Sequence, residues 1–449
     1  MKPSKRVLII SYLFPPVGGP GVQRVLKFAK YLPEFGWDPV VLTVKDINYS
    51  IYDESLLKDI DPETTVIRTE SLDPQRLTRC LFSGTTDGTS GSMVVKNSRF
   101  KEGSRSLALY RILRDLFAIP DPAILWAPFA YVAGLRAIRK LNIEAIVALA
   151  PPNSSTFVAK LLSKRTGIPC ILDFRDPWVD GVASTFATGL HRSLHKWLEG
   201  KAINGAAAIT VYGEVYERDL RAKYPQFKGI VAELTNGFDR ADLDGVVAQS
   251  RAENKRRIVY QGSVNWYHRQ NFQLFLEALR ILPNSVKDTI EVLFVGRVTA
   301  DVQSLVCDLG LEQQVKFLSY KPHRESLGYL LSADAALLFV EKGDRTSVTG
   351  KVFEYLMAGC PILASIEPDG ACAEVLHRAG CADWIVAPDE PGAMSRAICS
   401  LAASNWPRPS ATSIERFSRK SITGDLAVLL DRVTVADEAV MEEAIGSSC

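Results

Sequence analysis

The sequence is sparing with the residues that make metal sites, disulfide frameworks and membrane spans. It holds five histidines and eight scattered cysteines in 449 residues, with no Cys-x-x-Cys pair and no Cys/His cluster. That pattern argues against structural zinc and for a reducing compartment. Charge of one sign is missing too: 53 Lys and Arg stand against 51 Asp and Glu, a net charge of +2. No bulk field would draw in nucleic acid, so no nucleic-acid partner is expected. The longest charge-free apolar stretch, Pro122 to Leu135, falls short of the ~20 residues that a bilayer span needs. Basic Met1 to Arg6 leads into a short apolar strand and Pro15-Pro16, so a signal peptide of ordinary length is not expected. These absences place the expected location in the cytoplasm, with contact at the inner face of a membrane left open.

What is present is an ordinary globular composition, 47% hydrophobic and 23% charged, in a chain long enough for two or three domains. Short apolar runs alternate with helical periodicity along most of it. Val7 to Ile10, Pro39 to Val44, Glu144 to Ala150, Pro169 to Leu172 and Ala207 to Val211 read as buried strands of a first α/β domain. After the polar stretch Arg240 to Arg257, strands resume at Ile258, Glu291, Val315, Ala335 and Cys360. The expected division is residues 1–240, a linker at 241–257, a second domain at 258–410, and helices at 411–449 that return to the first domain. Residues 82–103 have many turn formers and read as a loop. Helices are expected at Tyr110 to Phe117 and Trp126 to Leu141, separated by Pro120-Asp121-Pro122. Arg105, Arg111 and Arg114 near the apolar run from Ile124 would suit an anionic membrane surface or, more plainly, an amphipathic packing face.

The chain is organised around residues 334 to 376. There an apolar run, Ala335 to Val340, enters a charged loop, a helix begins near Gly350, and Gly359 stops it before a second buried strand. Ser347 or Thr349 is the expected cap. A helix N-terminus presents free N–H groups and a positive dipole end, which suits phosphate. Lys351 on its first turn adds a charge, and Glu354 three residues later shares its face. A cation for a diphosphate beside a carboxylate for hydroxyls is what a nucleotide-sugar site needs; a surface ion pair is the plain alternative. A P-loop is excluded, because six residues separate Gly343 from Gly350 and Val352 stands where Ser or Thr is required.

Other strand ends offer further candidates. Gly18, Gly19 and Gly21 make a glycine-rich turn after the first strand, but Arg24 occupies the third-glycine position of a dinucleotide fingerprint, which disfavours a dehydrogenase. Gly262-Ser263 and Gly296-Arg297 end two later strands in the same manner. Asp173-Phe174-Arg175-Asp176-Pro177-Trp178 follows another, where parallel sheets collect ligands. Asp176, just after the strand, is placed to act on an acceptor hydroxyl, either aspartate could instead cap a turn, and spacing alone does not separate the two. His191 and His195 have the i,i+4 spacing of a metal pair but lack a third ligand, so a solvated helix face is expected there.

The wording of Gly350-Lys351-Val352-Phe353-Glu354-Tyr355-Leu356-Met357-Ala358-Gly359-Cys360-Pro361, together with Asp173 to Trp178 and Pro15-Pro16-Val17-Gly18-Gly19, resembles the family 4 retaining glycosyltransferases. The resemblance runs from Pro15 to about Leu430. It implies the GT-B fold, two α/β Rossmann-like domains with parallel sheets facing across a cleft. It further implies a retaining, metal-independent transfer from a nucleoside-diphosphate sugar to a glycan or lipid-linked acceptor, with no cofactor, in cell-envelope polysaccharide or glycolipid assembly. By this resemblance Gly18, Gly19, Gly262, Ser263, Arg269, Gly350, Lys351, Val352 and Glu354 belong to the donor site, and the cap candidates Ser347 and Thr349 and the strand-end Arg297 join them as candidates on position. Arg269 is its diphosphate clamp, Glu354 its ribose contact, and Asp176, with Asp173 as the alternative, its catalytic position. The absence of an Asp-x-Asp motif after a strand agrees with no metal. Where many members carry a glutamate eight positions before the ribose contact, this chain has Thr346. A nucleotide-sugar epimerase of the same fold and a non-catalytic nucleotide-sugar-binding subunit are the rival readings.

Overall fold

A computed structural model describes residues 5–45, 52–72, 119–181, 186, 188–264 and 269–446. The 82–103 loop, the 110–117 helix and the basic cluster at Arg105, Arg111 and Arg114 lie outside these residues. The chain divides into two units, Met1–Thr235 with Ile422–Cys449, and Asn236–Ser421.

The first unit is built on seven parallel strands: β1 (Lys5–Ile10), β2 (Trp37–Val44), β3 (Thr65–Thr69), β4 (Ala145–Ala150), β5 (Cys170–Phe174), β6 (Ala208–Val211) and β7 (Ile230–Glu233). Their order is β3-β2-β1-β4-β5-β6-β7. The central strands are apolar throughout because helices cover both faces of a parallel sheet, and Val7 to Ile10 and Ala145 to Ala148 are fully buried. Val7 pairs with Pro39 on one side and Ala145 on the other, so the winding direction reverses between β1 and β4. The last helix, Arg419–Gly446, carries Ile422, Leu426, Leu430 and Val433 at helical spacing into the core of this unit, against Phe28 and Trp37. Asp431 accepts from the Trp37 indole N–H at 3.1 Å and from Lys5 at 3.0 Å.

The second unit has six parallel strands: β8 (Arg256–Gln261), β9 (Ile290–Val295), β10 (Val315–Leu318), β11 (Ala335–Phe339), β12 (Ile362–Ser365) and β13 (Ile385–Val386), ordered β10-β9-β8-β11-β12-β13. Its reversal falls between β8 and β11, where Ala335 pairs with Ile258. One face of the sheet is packed by Phe272, Phe275 and Leu279 of the helix Arg269–Arg280. The other is packed by Val352, Phe353 and Leu356 of the helix Gly350–Met357.

The boundaries differ from the sequence expectation. Residues 241–257 are not a solvated linker but part of the second unit. The Gln249 N–H donates to the Gly328 carbonyl at 3.0 Å, and the buried guanidinium of Arg257 donates to Glu291 at 2.9 Å and to the Ser250 carbonyl at 2.9 Å. Polar residues here serve internal pairing, which composition alone does not distinguish from solvation. Residues 411–421 likewise stay with the second unit, where Ile414 and Phe417 join its core. Edge strands β3 and β7 and the helices Ala300–Asp308 and His323–Leu331 are additions to the elements read from sequence. Among the described residues no helix is long and apolar enough to cross a membrane.

Candidate functional site

In open parallel sheets ligands gather beyond the carboxyl ends of the strands, at the point where the winding reverses. In the second unit that point lies beyond β8 and β11. Strand β8 ends at Gly262, whose φ of +112° belongs to the region glycine favours, and β9 ends at Gly296, where a Cβ would stand 2.4 Å from the Gly262 carbonyl oxygen. Both turns are therefore bare backbone.

From the other side comes the helix Gly350–Met357. Thr349 is its cap, in extended geometry, with its hydroxyl accepting from the Lys351 N–H at 3.4 Å. The loop before it is built on Asp344, a buried residue whose Oδ1 accepts from the N–H groups of Thr346 and Ser347 at 3.1 and 3.0 Å. Ser347 thus lies in the turn and does not cap the helix. Lys342 pairs with Asp389, Arg345 with Asp369, and the Gly343 N–H donates to Glu367 at 2.7 Å. These contacts fasten the loop to neighbouring segments.

The Lys351 side chain lies across the Gly262 turn: a Cβ there would meet its Cε at 2.6 Å. The Tyr260 hydroxyl accepts from the Lys351 ammonium at 3.0 Å, and the Tyr260 ring lies 4.8 Å beneath it. The structure thereby brings Gly262, Gly350 and Lys351 together at the switch point. Tyr260, which positions the ammonium, was not singled out in the sequence. Glu354 is half-buried and turned to His323, with its Oε1 3.4 Å from the imidazole Nε2. Arg269 is exposed at the start of its helix and paired with Asp301 at 2.7 Å. Arg297 is exposed with its guanidinium over Tyr320, and Ser263 is exposed in the turn after β8. Val352 is corrected: its side chain is fully buried in the core and its N–H is spent on the Thr349 carbonyl at 3.2 Å, so it offers no group to a ligand. A cavity of about 600 Å³ in this unit, lined by Arg251, Asp334, Trp406 and Arg408, opens near the amino ends of β11 and β12, away from these groups.

In the first unit Gly18 is buried, and Gly19, with φ +99°, precedes the helix Pro20–Tyr31. The Arg175 guanidinium lies against Gly21, where a Cβ would stand 2.9 Å from its Nη1. Asp176 is exposed just beyond β5. Asp173 is corrected as a catalytic candidate. It is 1% exposed and chelates Arg24 through both oxygens at 2.7 Å, and it accepts from the Thr210 hydroxyl at 2.5 Å. Arg24 also donates to the carbonyls of Thr235 and Leu234 at 2.6 and 3.0 Å. The pair is satisfied internally, a charged cross-tie between the first helix and β5.

The histidines are also corrected: His191 and His195 are buried, 5% and 6% exposed, beneath Trp178 and Phe186. The Trp178 indole can only donate, so the His195 Nδ1, 3.1 Å away, accepts and the proton sits on Nε2. That Nε2 faces the His191 Nε2 at 3.1 Å and donates to it. Both rings are neutral in this arrangement. Burial, with His191 beside it, pushes the His195 pKa down from 6.5 to about 4. The folded value lies below the unfolded one, so this contribution to stability is complete above pH 6.5 and is lost as pH falls through that value toward 4. Thermal melts from about pH 7.5 to about pH 5 should show a fall in Tm that is shallower in His195→Gln. Equal slopes would refute the assignment.

Residues 18–232 match the glycosyl transferase 4-like domain and residues 255–404 match glycosyl transferases group 1. Solved structures of the same fold include Anabaena HepE in complex with UDP and glucose, at 13% identity and a TM-score of 0.53, covering 99% of this chain and 100% of that one. A glycosyltransferase from Rickettsia africae has 14% identity and a TM-score of 0.58, covering 96% and 98%. The lipopolysaccharide outer core galactosyltransferase WaaB, in its apo form, has 11% identity and a TM-score of 0.55, covering 95% and 99%. No curated protein matches. The two parallel sheets and these similarities define a GT-B enzyme. The chain is a glycosyltransferase with a 4-like first domain and a group 1 second domain.

Proposed function

We propose that the chain is a retaining, metal-independent glycosyltransferase that moves a sugar from a nucleoside-diphosphate sugar to a glycan or lipid-linked acceptor of the cell envelope. The observation that carries this reading is the Lys351 ammonium held over the Gly262 turn at the start of a helix. Chemistry at the anomeric carbon leaves a diphosphate whose charge must be neutralised, and a fixed cation at the positive end of a helix does that without reorganisation. The complexes of HepE with UDP and with UDP-glucose support a nucleotide-sugar donor. Gly262, Gly350 and Lys351 are assigned to the diphosphate and Glu354 to the ribose. Arg269 and Arg297 are assigned to the diphosphate only on side-chain rearrangement, Arg269 by leaving Asp301 and Arg297 by leaving Tyr320. Asp176, exposed at the carboxyl end of its sheet, is assigned to orient the acceptor hydroxyl.

Peripheral membrane contact is assigned to the helix Gly189–Ile203, which exposes Leu190, Leu194 and Trp197 at helical spacing beside Lys196 and Lys201. Such a stripe suits an anionic lipid surface that also carries the acceptor.

The test is transfer from a panel of sugar nucleotides to lipid-linked acceptors, with the product's anomeric configuration read by NMR. Retained configuration and unchanged rate in excess chelator are expected. Inversion, or loss of rate on chelation that a divalent ion restores, would overturn the respective part. Release of an altered sugar without acceptor would instead establish an epimerase.

A further inference from the structure

Three buried oxygen acceptors beside the switch point have no hydrogen-bond donor among the described residues, one of them Oε1 of Gln261 at the end of β8, and the other two lie together. One is Oδ1 of Asn271, a residue 1% exposed on the first turn of the helix Arg269–Arg280. The other is Oε1 of Glu341. Their placement is linked. The Asn271 amide donates to the Val340 carbonyl at 2.9 Å, so its carboxamide lies against the peptide that leads into Glu341. Phe339 ends β11 in register with Ser365, and the Val340 N–H reaches the Ser365 carbonyl. Glu341 is thus the first side chain free of the sheet on β11, the strand next to β8, whose own end carries Gly262 and the Lys351 ammonium.

A buried acceptor left without a donor costs about 1–3 kcal/mol, so each calls for a partner from outside the chain, a water or a ligand. These two are both acceptors, one on a carboxyl group. They repel phosphate and require O–H or N–H donors. Burial, with Asp344 nearby, pushes the Glu341 carboxyl up to about 7, which fits a group withdrawn from water and lacking a cationic partner. The adjoining Lys351 supplies the opposite preference, for phosphate. One side of the switch point therefore suits the diphosphate and the other suits a polyhydroxylated group attached to it.

We propose that Glu341, with Asn271, forms the subsite that receives hydroxyls of the transferred sugar. The assignment rests on the donor-site reading above and names the residue that discriminates the sugar. Glu341 is a binding residue for the hexose, separate from the groups that hold the nucleoside diphosphate.

The test is isothermal titration of the full chain, wild type, Glu341→Ala and Glu341→Gln, with UDP, GDP, UDP-glucose, UDP-N-acetylglucosamine and GDP-mannose. Each variant should keep the preferred diphosphate within about twofold and lose about five- to tenfold for its sugar-bearing form, the loss of one hydrogen bond. Undiminished affinity for both forms overturns the proposal. So does an equal loss for both, which would make Glu341 a support of the loop. Glu341→Gln, which keeps the side chain's shape, carries the test if Glu341→Ala fails to fold. A wild-type chain that binds none of the diphosphates overturns the donor-site reading, and this assignment falls with it.

Discussion

Lys351→Ala is expected to weaken nucleoside-diphosphate binding by about ten- to a hundredfold, the range of a hydrogen bond to a charged group. Three features make the effect large. The ammonium is held in place before any ligand arrives, by the Tyr260 hydroxyl at 3.0 Å and the ring beneath it, so little side-chain entropy remains to be lost on binding. It stands over glycine backbone that permits a ligand to come close. It is also on the first turn of a helix, where the dipole adds to its charge. Lys351→Arg should recover only part of the affinity, because a planar fork does not reproduce a point charge over that turn. Titration with UDP and GDP decides the matter, and folding is checked by melting, since Lys351 is only half-buried. Unchanged diphosphate affinity in Lys351→Ala would remove the central support of the proposed function.

The second large effect concerns stability. Asp173→Asn leaves the Arg24 guanidinium, whose side chain is 3% exposed, without its countercharge, and truncating one partner of a buried ion pair costs about 3–5 kcal/mol. In a unit of this size that should lower Tm by about 10 °C. Arg24→Met should cost as much, and the double replacement less than the sum of the two, because the second change removes the charge that the first one stranded. Additive losses in that cycle would show that Arg24 and Asp173 act independently. A melt of Asp173→Asn that matches wild type, with transfer abolished, would return Asp173 to the catalytic candidates.

These two cases show which parts of the site could be read from sequence. Gly262, Gly350 and Lys351 were legible because each is a local signal, a glycine or a cation at the junction of a strand or helix with its loop. The Arg24–Asp173 pair was not, since its partners are 149 residues apart in sequence and each had a plausible local role. The resemblance makes Arg269 a diphosphate clamp, and its pairing with Asp301, on another helix, was not legible for the same reason. The i,i+4 spacing of His191 and His195 gave the helix face correctly but not its cover, which Trp178 and Phe186 bring from elsewhere. Glu341 gave no signal at all: a charge after an apolar run is commonplace, and only its lack of a donor distinguishes it. For the fold, continuous apolar runs announced the central strands. The edge strands β3 and β7, partly polar and only half-covered, did not announce themselves.

The route of the chain bears on how the enzyme is made. Asn236–Ser421 is uninterrupted, so that half can complete itself while the polypeptide is still leaving the ribosome. The earlier half cannot, because Ile422, Leu426, Leu430 and Val433, which close over Phe28 and Trp37, follow the whole of the second unit in the chain. The portion synthesised first is finished second, and until that returning helix emerges it presents an uncovered greasy surface to chaperones and proteases.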